Sequence, residues 1–182
     1  NFSFYNSANA ASLFNDDFES EDFSSWSSVD SPEWSVTSDD PYDGNYRGHL
    51  SNSDATEPDE DELLVEVNTS GYESLTLSYW YRVVVTNGDL ENSDFINVEW
   101  SEDGGVSWTT LVTHDEEENN SSEWTFMSVS LPSEADDNSN FQFRFLGNLN
   151  AASERFHLDD VLLEGDALED EDEEDTPSIS GY

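Results

Sequence analysis

The chain has 182 residues, with 44 acidic side chains, 4 Arg and no Lys, giving a formal charge of -40. That sign excludes nucleic acid and anionic membrane surfaces as partners, because both demand a positive footprint. The absence of cysteine removes disulfides and thiolate metal sites, while an aromatic content of 13% sets the chain apart from disordered acidic sequences and predicts a packed core.

Residues 1–15 are polar with scattered Phe2, Phe4, Tyr5, Leu13 and Phe14, and are expected to form an N-terminal arm. The opening Asn-Phe-Ser-Phe carries no signal-peptide pattern and reads as a mature end. Asp16 to Glu21 reads as a short acidic strand, Glu33 to Thr37 as another, and Asp39-Asp-Pro-Tyr-Asp-Gly44 as a turn. Tyr46 to Ser51 follows as a strand, then an acidic loop over Asn52 to Asp61. Leu63, Val65 and Val67 share one strand face. In the longest strand Leu75, Leu77, Tyr79, Tyr81 and Val83 share one face, and Thr76, Ser78, Trp80 and Arg82 the other, the period of two of a half-buried strand.

Asp94 to Leu111 reads as a β-hairpin. Ile96, Val98 and Trp100 alternate with Asn97 and Glu99, Gly104 and Gly105 supply a turn, and Val106 to Leu111 returns in β-forming residues. Met127, Val129 and Leu131 mark a strand, Phe141, Phe143 and Phe145 another, and Phe156 to Glu164 the last. Turn signals recur roughly every 8–12 residues, which is the spacing of an all-β antiparallel two-sheet sandwich or jelly roll. The sandwich is expected over residues 16–165, with an acidic C-terminal tail over 166–182. No apolar run reaches membrane-spanning length. Asn1, Asn68, Asn119 and Asn120 open N-glycosylation triplets.

Two resemblances follow from these residues. Ser101-x-Asp103-x-Gly105-x-x-Trp108 resembles the Asp-box, which implies a structural hairpin and no catalytic role. Asp17-Phe-Glu19-Ser, Trp26, Tyr42-Asp-Gly-Asn-Tyr46, the Leu75–Val83 strand, the hairpin, Phe143-Arg-Phe145 and Leu158-Asp-Asp-Val161 together resemble MAM-like and related concanavalin-type jelly-roll domains of secreted and adhesive proteins. The cysteines of animal MAM domains are missing, so a cysteine-free microbial relative is the better match. The resemblance implies that the first and last strands pair and that a Ca²⁺ staples them, with Asp17, Glu19, Asp159 and Asp160 at the matching positions. Alternation supports this, because one of Asp159 and Asp160 should face inward between Leu158 and Val161, and a buried carboxylate needs a partner. The competing reading is that both are exposed edge charges.

Asn87, Asp89, Glu91 and Asp94 form a weaker oxygen-rich loop, without the glycine of an EF-hand. His49, His114 and His157 show no zinc or triad spacing. With 44 acids, carboxylate pairs of glycosidase type carry no information. The sequence therefore predicts a non-catalytic, extracellular, Ca²⁺-stabilised jelly-roll subunit. It is expected to self-assemble into a filament or surface matrix through the arm bearing Phe2, Phe4 and Tyr5. The alternative is a carbohydrate-binding module with exposed Trp or Tyr as its sugar platform.

Overall fold

The computed structural model describes residues 10–30, 32–51, 60–86, 90–91, 93–115, 123–151 and 153–169. Phe2, Phe4 and Tyr5 of the expected arm, the glycosylation triplets at Asn1, Asn119 and Asn120, most of the 52–61 loop, Asn87 and Asp89, and the tail beyond residue 169 lie outside them. Among the described residues there are eleven strands: β1 (Ala11–Asp16), β2 (Ser28–Val29), β3 (Trp34–Thr37), β4 (Arg47–Leu50), β5 (Asp61–Val67), β6 (Tyr72–Val85), β7 (Phe95–Ser101), β8 (Thr109–His114), β9 (Thr125–Ser130), β10 (Phe141–Asn148) and β11 (Glu154–Ala167). They form two antiparallel sheets, one in the order β3-β4-β11-β6-β9 with β1 also on β11, the other β2-β5-β10-β7-β8. The all-β sandwich read from alternation is the fold.

The core forms where the two inner faces meet. Leu75, Leu77, Tyr79, Tyr81, Val83 and Val85 of β6 face Val65, Val98, Phe143 and Phe145 of the second sheet, all buried. The aromatic rings interlock edge to face: Phe143 with Trp26 at 6.0 Å and Phe14 at 5.6 Å, and Phe145 with Tyr79 at 5.1 Å. This is the arrangement that ring quadrupoles favour.

Three local readings change. The first strand is β1, starting at Ala11, so residues 11–15 belong to the sheet, and Asp17 to Glu21 is a turn with Phe18 and Glu21 at positive φ (58° and 65°). Asp16 closes β1, its carboxylate accepting from Phe18 N at 2.8 Å and Trp26 Nε1 at 2.7 Å. The β7–β8 connection is a seven-residue loop with Asp-box geometry. Asp103 accepts from Ser107 N at 2.9 Å and Ser107 Oγ at 2.7 Å, and Ser101 Oγ accepts from Gly105 N at 2.8 Å. These donors hold the Asp103 carboxyl down at about 2. The third change is at β11, which spans both ends of its sheet edge. Phe156, His157 and Leu158 pair with β4, and Val161 to Gly165 pair with β1. The expected pairing of first and last strands is therefore present. A bulge interrupts β11 where its partner changes, between Asp159 and Leu162, with Asp160 at φ 47°.

Phe143→Ala should cost about 3–5 kcal/mol in denaturant unfolding, because it empties a ring-filled site. Val106→Ser, at an 85% exposed loop position, should change stability by less than about 0.5 kcal/mol.

Candidate functional site: a cation-lined cleft on the outer face of one sheet

In the β3-β4-β11-β6-β9 sheet, alternation turns a second set of side chains away from the core. Trp80, Arg82 and Val84 come from β6, and Arg155, His157 and Asp159 from β11. The β4 and β3 strands add Arg47, His49 and Thr37. Register sets them in rows, with His49 opposite His157, His157 opposite Arg82, and Asp159 opposite Trp80. An outer sheet face usually stands in water, yet here Arg47, Arg82, His157 and Asp159 are buried. The cause is the β3–β4 connection, residues 38–46, which folds over the face. Tyr42 stacks flat on Trp80, with ring centroids 3.8 Å apart and planes 14° apart, and lies 6.2 Å from Trp124.

Asp159 anchors that loop. Its Oδ2 accepts from Tyr42 N at 2.8 Å and Asp43 N at 3.4 Å, and its Oδ1 from Asp160 N at 2.9 Å. Burial pushes its carboxyl up to about 7, against the opposing pull of these N–H groups. The expectation that one carboxylate of the pair faces the core is corrected: Asp159 turns outward and is buried by the loop, while Asp160 occupies the bulge.

Beside the loop lies a cleft of about 850 Å³ lined by Thr37, Asp39, Asp40, Arg47, His49, Arg82, Val84, Thr86, Arg155 and His157. Three of the four Arg of the chain therefore share one cleft. Arg82 pairs with Asp40 at 2.7 Å and lies 5.0 Å from the Trp124 ring centroid. Arg47 donates to Asp39 O at 2.6 Å and contacts His49 Nδ1 at 3.0 Å, and Arg155 donates to Thr86 Oγ1 and Ser153 O, both at 3.3 Å. A guanidinium cannot accept, so Nδ1 of both His49 and His157 is an acceptor and the proton sits on Nε2. Desolvation by burial, aided by the neighbouring Arg, lowers His49 to about 4 and His157 to about 2, so both rings are neutral. Among the described residues, Nε2 of His157 and Nε1 of Trp124 are buried donors without a hydrogen-bond partner, their rings 6.1 Å apart.

On the other side of Trp80 is a groove of about 600 Å³, lined by Ser12, Asp16, Asp17, Trp80, Phe126, Asp160 and Glu164 among others. It holds two of the four expected metal ligands, Asp17 and Asp160. Asp43 and Asp17 both act on Asp160, whose carboxyl is raised chiefly by burial. Glu19 lies across Gly44, accepting from Asn45 N at 2.6 Å, Asn45 Nδ2 at 2.9 Å and Tyr46 N at 2.8 Å. Gly44 has φ 63°, the left-handed region that favours glycine, and a Cβ there would meet the Glu19 carboxylate. The oxygens of Glu19 and Asp159 are thus engaged by loop N–H groups, Asp160 lies near Asp43 and Asp17, and among the described residues no three of the four expected ligands converge within 4.8 Å.

Among the described residues, three carboxylates converge elsewhere. Glu91, Asp94 and Glu154 bring ligand oxygens within 4.8 Å of one another and can hold a metal. Asp94 and Glu154 are buried, and burial together with the Glu91 side chain raises Glu154 to about 7. Glu91 and Asp94 belong to the oxygen-rich loop noted in the sequence. Glu154, 60 residues on from Asp94, joins them only through the fold.

The two-sheet β-sandwich resembles solved carbohydrate-binding modules and adhesin domains in fold. A protein-family model, Reelin subrepeat B, matches residues 61–164, and the chain belongs to that family. Among solved structures, the CBM22-1 xylan-binding domain of Paenibacillus barcinonensis Xyn10C is similar at TM-score 0.59 and 13% identity, over 88% of this chain and 97% of that one. The K1 cleaved adhesin domain of Lys-gingipain from Porphyromonas gingivalis W83 is similar at TM-score 0.64 and 14% identity, over 85% and 98%. A family 16 carbohydrate-binding module is similar at TM-score 0.56 and 16% identity, over 83% and 97%. A search of curated protein sequences finds no match. Identities this low establish the fold.

Asp159 and Glu154 have folded-state values near 7, above their unfolded values of 3.8 and 4.5. The folded protein therefore binds more protons, and in chelator its stability should fall as pH rises from about 4 to about 7. Melting curves across that window should show a shallower fall for Asp159→Asn and for Glu154→Gln than for wild type.

Proposed function

We propose that this domain is a non-catalytic, extracellular glycan-binding module stabilised by Ca²⁺. The observation that carries the reading is the cleft beside the Tyr42–Trp80 stack. Aromatic rings offer a flat apolar platform and the adjoining polar side chains offer directed hydrogen bonds, the usual composition of a small-ligand site. Tyr42 is 40% exposed and Phe126 52%, so part of the platform is accessible. The likeness to a xylan-binding domain, to a carbohydrate-binding module and to an adhesin domain supports the same reading, and supports an extracellular location.

The calcium part rests on oxygen donors. Carboxylates without sulfur or imidazole suit a hard cation such as Ca²⁺. The Glu91–Asp94–Glu154 triad fits this requirement, and the set Asp17, Glu19, Asp159 and Asp160, called the ring below, is kept as a second proposed location. Bound Ca²⁺ would relieve repulsion among buried carboxylates and would stabilise only the folded state. Self-assembly through Phe2, Phe4 and Tyr5 gains no support from the fold or the comparisons.

Affinity electrophoresis through gels containing xylan, mixed-linkage glucan or mannan should retard the protein in at least one. Tyr42→Ala and Trp124→Ala should weaken that retardation at least tenfold. Wild type retarded by no polysaccharide would remove the glycan reading. For the cation, adding Ca²⁺ to chelated protein should raise the melting temperature. Asp94→Asn should lose that rise if the triad is the site, and Asp159→Asn if the ring is. A Ca²⁺ response retained in the double variant would exclude both.

A further inference from the structure

We infer that the cleft on the outer face of the β3-β4-β11-β6-β9 sheet recognises an acidic saccharide, a sugar bearing a carboxylate or sulfate group. The inference rests on the glycan-binding reading and names the chemical class of its ligand. It begins from charge. With 44 acids and 4 Arg, each guanidinium has many available carboxylate partners. Arg144, on the opposite sheet, takes two: Glu62 at 2.8 Å and Glu99 at 2.7 Å. The remaining three Arg line the cleft, where Arg82 pairs with Asp40. Arg47 and Arg155 bond there to carbonyl, hydroxyl and imidazole acceptors, all uncharged.

Desolvating a guanidinium without an ion-pair partner is costly, and Arg47 is so placed. Arg47 is 2% exposed, and its pKa is lowered to about 10, first by burial and then by Arg82. Asp39, Asp40 and Asp159 oppose that lowering from nearby without a contact to the Arg47 guanidinium among the described residues, and three guanidiniums gathered in one cleft are an arrangement that an incoming oxyanion relieves. The hydrogen-bond inventory agrees. Three guanidiniums, two Nε2–H imidazoles and the hydroxyls of Thr37 and Thr86 belong to the lining of the cleft, whereas its two carboxylates, Asp39 and Asp40, belong to exposed residues. A donor-rich site selects an acceptor-rich ligand, and charge-assisted bonds from Arg to carboxylate or sulfate are the strong ones. The Tyr42, Trp80 and Trp124 rings alongside argue for a ligand with flat apolar faces as well as charge, which a sugar acid or sugar sulfate has. Because the charge comes from Arg and both imidazoles are neutral, recognition persists at alkaline pH.

The molecule's overall charge opposes any polyanion at long range, so the contact must win at short range, and salt sharpens the test. The full chain is assayed by affinity electrophoresis at pH 8 in ~0.5 M NaCl, where screening confines charge effects to a few ångströms. The gels contain matched pairs: a polyuronate and its carboxyl-reduced form, and a sulfated galactan and its desulfated form. The expected result is at least tenfold tighter binding to the anionic member of one pair, and the pair that responds distinguishes carboxylate from sulfate. Arg155→Gln should narrow that ratio to within twofold, and Arg155→Lys should recover part of it. Arg144→Gln, the same charge change on the other sheet, should leave the ratio intact. Equal binding of both members overturns this inference and leaves the glycan reading standing. Retardation by none of the four, together with none in the neutral-polysaccharide gels, overturns both. Each gel is run with EDTA and with Ca²⁺. An acidic preference seen only with Ca²⁺ reflects cation bridging by the carboxylates and also overturns it, as does equal narrowing by Arg144→Gln.

Discussion

The outer face of the sheet is organised by one buried carboxylate. Asp159 sits at the last regular position of β11 before its bulge, where the strand leaves β4 and takes up β1. Between two partners, the sheet edge is locally open, and the β3–β4 loop fills the space. Asp159 accepts the loop's Tyr42 and Asp43 N–H groups. That contact places Tyr42 on Trp80, and the stacked pair divides the face into an acidic groove and a cationic cleft. The bulge, the buried acid, the aromatic wall and the two depressions are thus consequences of one change of strand partner.

A chain this acidic has to place its carboxylates with few cations available. Many of them bind backbone N–H groups instead. Asp16 receives Phe18 N, Glu19 receives Asn45 N and Tyr46 N, Asp103 receives Ser107 N, and Asp137 receives Gly71 N. An N–H donor favours the ionised form without requiring a counter-ion, so turns are closed by acids where other proteins use uncharged polar residues. Where burial outweighs such donors the carboxyl is raised, as at Asp16, Asp94 and Asp160, and furthest at Asp159 and Glu154, both to about 7.

The same scarcity gives each Arg an identifiable role. Arg144 ties Glu62 and Glu99 across β5, β10 and β7 and lies 4.1 Å from the Trp108 ring centroid, closing the second sheet's outer face and the base of the Asp-box. Its neighbours leave it saturated. The other three face the opposite way, into a cleft whose acids belong to exposed residues. One outer face thus holds its Arg in a double ion pair, and the other gathers three Arg around a cleft.

Much of this was legible in the chain. Alternation over Leu75–Val83 and Phe141–Phe145 specified strands and their buried faces, because side chains of a strand point to opposite sides whatever the partner. It also put Trp80 and Arg82 together on the outer side, the one advance sign of the site. Ser101, Asp103, Gly105 and Trp108 specified a local loop from contacts a few residues apart. What could not be read was anything that depended on partner and register. Two isolated histidines met because His49 falls opposite His157. Asp159 faced away from the core because the residue phase holds up to the bulge and breaks after it. Glu154 joined Glu91 and Asp94, and Arg47, Arg82 and Arg155 joined one another, across separations that composition does not encode. Local patterns follow from the geometry of the backbone, which the sequence determines residue by residue. The cleft follows from which strands are neighbours, a choice made by the packing of the whole sandwich.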